Sequence, residues 1–224
     1  MLTDDVRLTL RTSLPLTLPA EALDRLSAGA HISESAAGDH LYREGDGRFT
    51  FLVLQGLVRM YMRSPAGQEI TVRYVRTGEL TGLSSVFSEG QPLNFQALTT
   101  TRALHLVPEE IDAAARADTR IAYAFATQSS RSLVEFQREI GRQAFLSVRQ
   151  RVARHLLDLA APAENNLTVH ITQQDLADAV GTAREVVART LQGLRVAGLI
   201  RTSAHGIVLL DPEGLQVEVS GARR

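Results

Sequence analysis

Arg184, Glu185 and Arg189 place two guanidinium groups and a carboxylate within one short stretch. A guanidinium can donate two parallel hydrogen bonds to O6 and N7 of guanine, and a carboxylate can accept from N4 of cytosine. Positions 185 and 189 are four apart and share a helical face, with 184 beside them. Val187, Leu191 and Leu194 recur on the opposite side. The set therefore has the chemistry to read base edges from a helix anchored by its apolar side. Two plainer readings compete: a merely solvated charged face, and a capping box Thr182-x-x-Glu185 that would occupy Glu185.

The surrounding segment, ITQQDLADAVGTAREVVARTLQGLRVAGLI (171–200), supplies the elements to hold such a set. Thr172 stands where a helix N-cap is needed, with Asp175 three residues on. Gly181 stops the first amphipathic run, and a second begins at Thr182 or Ala183. Two short helices joined by a tight glycine-containing turn describe a helix-turn-helix, a unit that presents its second helix to the major groove. From Arg184 to Arg201 there are four arginines and one acid, a local basic segment in a chain of net charge −1. All 24 basic residues are arginine, a chain-wide bias better explained by genomic composition than by function.

The chain has 224 residues, 44% hydrophobic and 22% charged, enough to bury one large or two small cores. It has no cysteine, which removes disulfides, thiolate zinc sites, cysteine nucleophiles and cysteine-held iron–sulfur clusters. No apolar run approaches the ~18 residues of a membrane span. MLTDDVRLTL lacks a basic region followed by an apolar stretch, so no signal peptide is expected. The expectation is a cytoplasmic protein without membrane contact.

Along the chain, residues 3–30 mix helical periodicity with Pro15 and Pro19, and AEALDRLSAG reads as a short helix ending at Gly29. From His31 to Val107, short apolar or alternating runs (51–54, 57–62, 70–75, 95–98 and 103–107) are punctuated by glycines, including those at 45, 47, 56, 67, 78, 82 and 90. This predicts a small antiparallel β-domain, closed or rolled. Pro108-Glu109-Glu110 suits a helical first turn. A long helical run over about 118–145 carries Ile121, Phe125, Leu133, Phe136, Ile140 and Ala144 near one stripe, interrupted by Gln128, Ser129 and Ser132. Its length favours pairing with a twin helix over packing on its own domain. A hinge is expected at Leu146-Ser147-Val148, a helix over 148–161, a loop over 162–166, and a two-stranded wing over 200–202 and 207–210. The tail after Pro212 is expected to be short and loosely held.

This order, with AFLSVRQRVARHLLDLA (144–160), the helix-turn-helix string and RTGELTGLSSVFSEGQP (76–92), resembles the Crp–Fnr family of bacterial transcription factors over nearly the whole chain. The resemblance implies a homodimer with a cyclic-nucleotide-binding-type β-roll, a long dimer helix and a C-terminal winged helix. It implies base reading by Arg184, Glu185 and Arg189, and phosphate contact by Thr172 and Gln174, which a helix N-terminus also favours. It further implies RNA polymerase as a partner, and a palindromic operator of TGTGA-like half-sites about one turn, ~10 bp, apart.

One part of the family pattern is missing. Cyclic-nucleotide binders of the family carry Gly-Glu-Leu and then Arg-Ser or Arg-Thr, the Glu for the ribose hydroxyl and the Arg for the cyclic phosphate. Here Gly82-Leu83-Ser84 and Leu93-Asn94 stand at those places, and no arginine lies between Arg76 and Arg102. An uncompensated buried anion is costly, so cAMP is not expected in the usual mode and no cofactor is predicted. Another effector, or none, remains open. Arg131 and Glu135, beside Phe136 and Gln137 on the long helix, could hold an acidic ligand or form an ordinary i,i+4 pair. Haem through His31, His40 or His105 is a further alternative, against which their spacing argues. Catalytic signatures such as G-x-S-x-G, H-E-x-x-H and the P-loop are absent, so an enzyme is not expected.

The expected fold class is α+β, with a jelly-roll-like effector domain (1–117), a dimerisation helix and hinge (118–146), a winged helix-turn-helix (147–211) and a tail (212–224). The expected function is sequence-specific DNA binding by a homodimer. The alternative is a small-molecule or haem sensor acting through protein contacts.

Overall fold

The computed structural model describes residues 2–14, 18–88, 91–163, 166–203 and 206–221. Pro15, Gly90, parts of the stretches 162–166 and 203–206, and the last three residues lie outside that set. The chain divides into two compact units, residues 1–63 with 72–137, and residues 64–71 with 138–224.

Two helices open the first unit, α1 (Asp4–Ser13) and α2 (Ala20–Leu26). Strands follow: β1 (His31–Ser35), β2 (His40–Tyr42), β3 (Phe51–Gln55), β4 (Leu57–Arg63), β5 (Glu69–Arg76) and β6 (Leu80–Thr81). A short helix α3 (Leu83–Phe87) precedes β7 (Asn94–Ala97) and β8 (Thr101–His105). They form two four-stranded sheets, ordered β1-β8-β3-β6 and β2-β7-β4-β5, with antiparallel pairings. Strand alternation sorts the core. Phe51, Val53 and Ala103 face a cluster with Val58, Met60, Val72 and Phe95 from the other sheet. Leu52 and Leu104 face the opposite way, into a cluster with α1 and α2.

The expected strands are present, and three were not foreseen. β1 is HISES, polar and half exposed at a sheet edge, so it carries no apolar run. β2 and β6 are only three and two residues long.

Helix α4 (Pro108–Ala117) has its proline at the first turn, as expected. Helix α5 (Thr119–Phe145) follows as one 27-residue element. The backbone N–H of Arg120 donates to Asp118 Oδ1 at 2.9 Å, and the Arg120 guanidinium pairs with the same carboxylate. That pairing holds the Asp118 pKa down to about 2. The apolar stripe of α5 divides. Ile121, Ala124 and Phe125 are buried with the first unit's helices and sheet, and Phe136 packs on the cluster between the sheets. Leu133 and Ile140 are 58% and 57% exposed. The stripe is thus two faces, one spent on its own domain and one open.

The second unit contains α6 (Val148–Leu159), β9 (Ala161–Ala163), β10 (Asn166–Val169), α7 (Gln173–Val180), α8 (Arg184–Val196), β11 (Ile200–Ser203), β12 (Gly206–Leu209) and α9 (Pro212–Ser220). Its four strands form a sheet ordered β11-β12-β10-β9. Ser147 caps α6 in a reciprocal box with Gln150. The helix stops short of 161 because Pro162 biases the residue before it towards extended backbone, and β9 and the first residue of β10 fall where a loop over 162–166 was expected.

Residues 212–220 correct the expectation of a loose tail. Pro212 occupies the first turn, and Asp211 accepts from the Gly214 N–H at 2.7 Å. Leu215 is fully buried in the second unit's core. Leu215→Ala should therefore destabilise the protein by about 2–4 kcal/mol in chemical denaturation. A change within about 0.5 kcal/mol, the value for a surface site, would mean that α9 is undocked.

Candidate nucleic-acid interface

α7 begins where Thr172 satisfies a donor that the helix leaves open. Thr172 Oγ1 accepts from the Asp175 N–H at 3.1 Å and donates to Asp175 Oδ2 at 2.6 Å. Gln174 is exposed on the first turn, its amide donating to Asp178 Oδ1 at 2.9 Å. Gly181 ends α7 in the left-handed region, φ 71°. A residue with a Cβ is strained there, so the tight turn requires the glycine. The Thr182 N–H returns to the Ala177 carbonyl at 3.0 Å and closes the turn.

α8 starts at Arg184, with Ala183 as its N-cap and no side-chain cap. The Thr182–Glu185 capping box is therefore not formed, and Glu185 is left on the surface. Val187, Leu191 and Leu194 are buried among Val152, Ala153 and Leu156 of α6, Leu176, Ala177 and Val180 of α7, and Ile200, Ile207 and Leu209 of the wing. The period that buries these three turns Arg184, Glu185 and Arg189 outward, and all three are exposed. Their side chains make no hydrogen bond or ion pair among the described residues. Arg195 and Arg201 are also exposed, the first bonded to Gln192. The arrangement is a rigid, half-buried helix with free donors and one free acceptor on its open side.

The residues expected around an effector all belong to the first unit. Leu83 is buried at the start of α3, in the cluster with Leu52, Leu80 and Val86. Gly82, at φ 84°, lies so close to Phe49 that an added Cβ would sit 2.5 Å from its carbonyl oxygen. Leu93 packs against the cluster between the sheets, as Phe136 does. Asn94 is buried and accepts from the Glu44 N–H at 3.2 Å. Tyr42, Phe49, Phe51 and Phe95 stack within the same region, their ring centroids 3.9–6.2 Å apart. Gly82, Leu93 and Phe136 thus adjoin one aromatic and aliphatic core.

Glu135 is not paired with Arg131. It meets Arg73 of β5 at 3.5 Å, and Arg73 also holds Glu79 at 3.1 Å. Arg131 and Gln137 are exposed. The sequence does not mark Arg73 and Glu79, because they are far from α5 in the chain. A lone arginine within an apolar strand run was the only available signal.

The three histidines considered for haem, His31, His40 and His105, lie in the first unit. His40 Nε2 lies 3.0 Å from the Tyr61 hydroxyl. His31 and His105 are register partners on β1 and β8, stacked at 5.0 Å, with Ser33 Oγ 2.8 Å from His105 Nε2. Among the described residues there is no group of three or more metal-ligating side chains, and no helix is long and apolar enough to cross a membrane.

Two family models match the chain: a Crp-like helix-turn-helix domain over residues 150–217 and a cyclic nucleotide-binding domain over residues 32–118. Among solved structures, a CRP/FNR-family transcriptional regulator of Thermus thermophilus is 30% identical, covering 85% of this chain and 98% of that one, with a TM-score of 0.72. The c-di-GMP-responsive global regulator CLP of Xanthomonas campestris is 26% identical over 85% of this chain and 99% of the other, with a TM-score of 0.71. The cAMP-activated global transcriptional regulator Vfr of Pseudomonas aeruginosa is 28% identical over 84% of this chain and 92% of its own.

Two measurements check the local physics. Thr172→Ala removes the acceptor of the Asp175 N–H and should cost about 1 kcal/mol in thermal denaturation; an unchanged midpoint contradicts the cap. Burial, and then the neighbouring His31, lower the His105 pKa from its ordinary 6.5. As pH falls through that value the unfolded chain takes up the proton first, so stability declines until the folded histidine also titrates. His105→Gln should flatten that decline in urea denaturation between about pH 8 and pH 5. An unaltered slope would show that His105 does not cause it.

Proposed function

The chain belongs to the CRP/FNR family of transcriptional regulators, and we propose that it acts as a cytoplasmic homodimer that reads a palindromic operator through α8. It is a transcription regulator with a helix-turn-helix DNA-binding domain, not an enzyme. The observation that carries the finer reading is the state of Arg184, Glu185 and Arg189. They stand exposed and uncommitted on a helix whose other face is buried. Arg184 and Arg189 each address a guanine, and Glu185 a cytosine. Thr172 and Gln174, at the exposed start of α7, contact phosphate and fix the register.

The open face of α5 supports the dimer. Ala126, Leu133 and Ile140 are exposed and seven residues apart, the repeat that pairs two helices. Two copies of α8 related by a two-fold axis then meet half-sites about one helical turn apart, of the TGTGA type. RNA polymerase is the partner through which such a bound dimer would alter transcription.

Control by cAMP in the usual mode is not part of this reading. Both cAMP, named for Vfr, and c-di-GMP, named for CLP, are phosphodiester anions that need a cation when buried. The stretch from Thr77 to Thr101 holds no arginine or lysine, and Leu83 and Leu93 lie in apolar packing. We therefore read the protein as free of cAMP gating.

Arg184→Ala and Arg189→Ala test the assignment by fluorescence anisotropy on a palindromic operator at fixed salt. Each should weaken binding by about 1–3 kcal/mol and relax the preference at one guanine. Wild-type affinity and selectivity in both variants would refute it.

A further inference from the structure

Glu139 is 6% exposed, although the residues on either side of it, Arg138 and Ile140, lie on the surface. Charged side chains are seldom this buried unless paired. Its Oε2 accepts from Arg142 Nη1 and from Arg154 Nη1, each at 2.7 Å, and its Oε1 accepts from the Gln143 amide at 3.2 Å. Arg154 belongs to α6, on the far side of the joint at Leu146-Ser147, and it also reaches Asp158 at 3.4 Å. A second attachment lies at the joint itself, where Arg151 Nη1 donates to the Leu146 carbonyl at 2.8 Å.

The two attachments differ in lever arm. Arg151 grips the joint. Glu139 and Arg154 each lie seven residues from it, so each arm is about 10 Å long at 1.5 Å per residue. A bond at the joint alone leaves α6 free to swing, whereas a bond between the two arms closes a triangle. Replacing a buried ion pair by apolar packing is often neutral or stabilising, so what this pair adds is direction. α6 in turn packs on α7 and α8 through Val152, Ala153 and Leu156, so the direction of α6 is also the direction of Arg184, Glu185 and Arg189.

We propose that Glu139 is a positioning residue: its bond to Arg154 is a strut across the hinge that sets the angle between the last turns of α5 and the helix-turn-helix, and thereby the half-site spacing the dimer accepts. This rests on the palindrome reading, but the strut itself can be tested without DNA. It follows that Glu139 matters to pairs of half-sites and not to one half-site.

The experiment uses the full chain, wild type, Glu139→Gln and the charge-swapped double variant Glu139→Arg with Arg154→Glu. Affinity is measured for one half-site and for palindromes with spacers lengthened or shortened base pair by base pair. Glu139→Gln should keep half-site affinity, lose about tenfold on the palindrome as the second half-site's effective concentration falls, and accept a wider range of spacers. The swapped variant should recover much of the spacer preference. In parallel, the absence of native cysteine allows spin labels at Arg138→Cys and Glu213→Cys, both exposed and in the second unit, with labelled chains diluted in unlabelled ones. The distance distribution should be narrow in wild type and broad with Glu139→Gln. An unchanged distribution overturns the strut, as does equal loss on half-site and palindrome. A broadened distribution in a protein that selects no palindrome upholds the strut and refutes the palindrome reading alone.

Discussion

The DNA-facing half of this molecule depends on one constraint: α8 must be immobilised by a single face. Val187, Leu191 and Leu194 are buried against α6, α7 and the wing at once. A helix fixed along that stripe has no freedom to rotate, so the outward direction of Arg184, Glu185 and Arg189 follows from packing and not from any bond of their own. Close-packed interiors resist small displacements, which is what base reading at hydrogen-bond distance requires. The left-handed Gly181 and the Thr172 cap serve the same end by fixing where α7 starts and stops. Even α9 belongs to this core, since Leu215 is among the residues that close it.

The first unit obeys a different logic. Its sheets enclose stacked aromatic rings and aliphatic side chains, and Leu83 and Leu93 are absorbed into apolar packing. An apolar lining does not compensate an anion, which is why the proposed reading leaves cAMP out. Arg73, which approaches α5 from β5, is held by Glu79 and by Glu135. On our proposal, the bond between Glu139 and Arg154 would make direction across the hinge a property of the resting chain.

Much of the fold was legible because periodicity records burial. The wing, both helices of the DNA-reading motif, α4 and the extent of α5 all carry apolar spacing or a proline and glycine signal that a sequence displays. What was hidden had a physical reason in each case. β1 is an edge strand whose HISES sequence alternates without an apolar face. The α5 stripe looked continuous because periodicity cannot say which partner each residue meets: Phe125 meets its own domain, while Ile140 remains open. The α9 helix, PEGLQVEVS, is weakly amphipathic and buries little beyond Gly214 and Leu215. At the candidate site, residue types and spacing pointed to the exposed charges of α8, but the absence of a cap on Glu185 needed the helix boundary. Ion pairs such as Arg73–Glu135 and Glu139–Arg154 join distant positions, so no local pattern announces them.

We propose that this chain selects a two-fold DNA site through α8 without a cyclic nucleotide. Selection from random duplex oligonucleotides by the purified wild-type protein, with no nucleotide added, tests it most directly. The expected result is enrichment of an inverted repeat whose half-sites resemble TGTGA and are centred about one helical turn, ~10 bp, apart. Enrichment of no motif, of an unpaired half-site alone, or of a palindrome only when cAMP is supplied would contradict it.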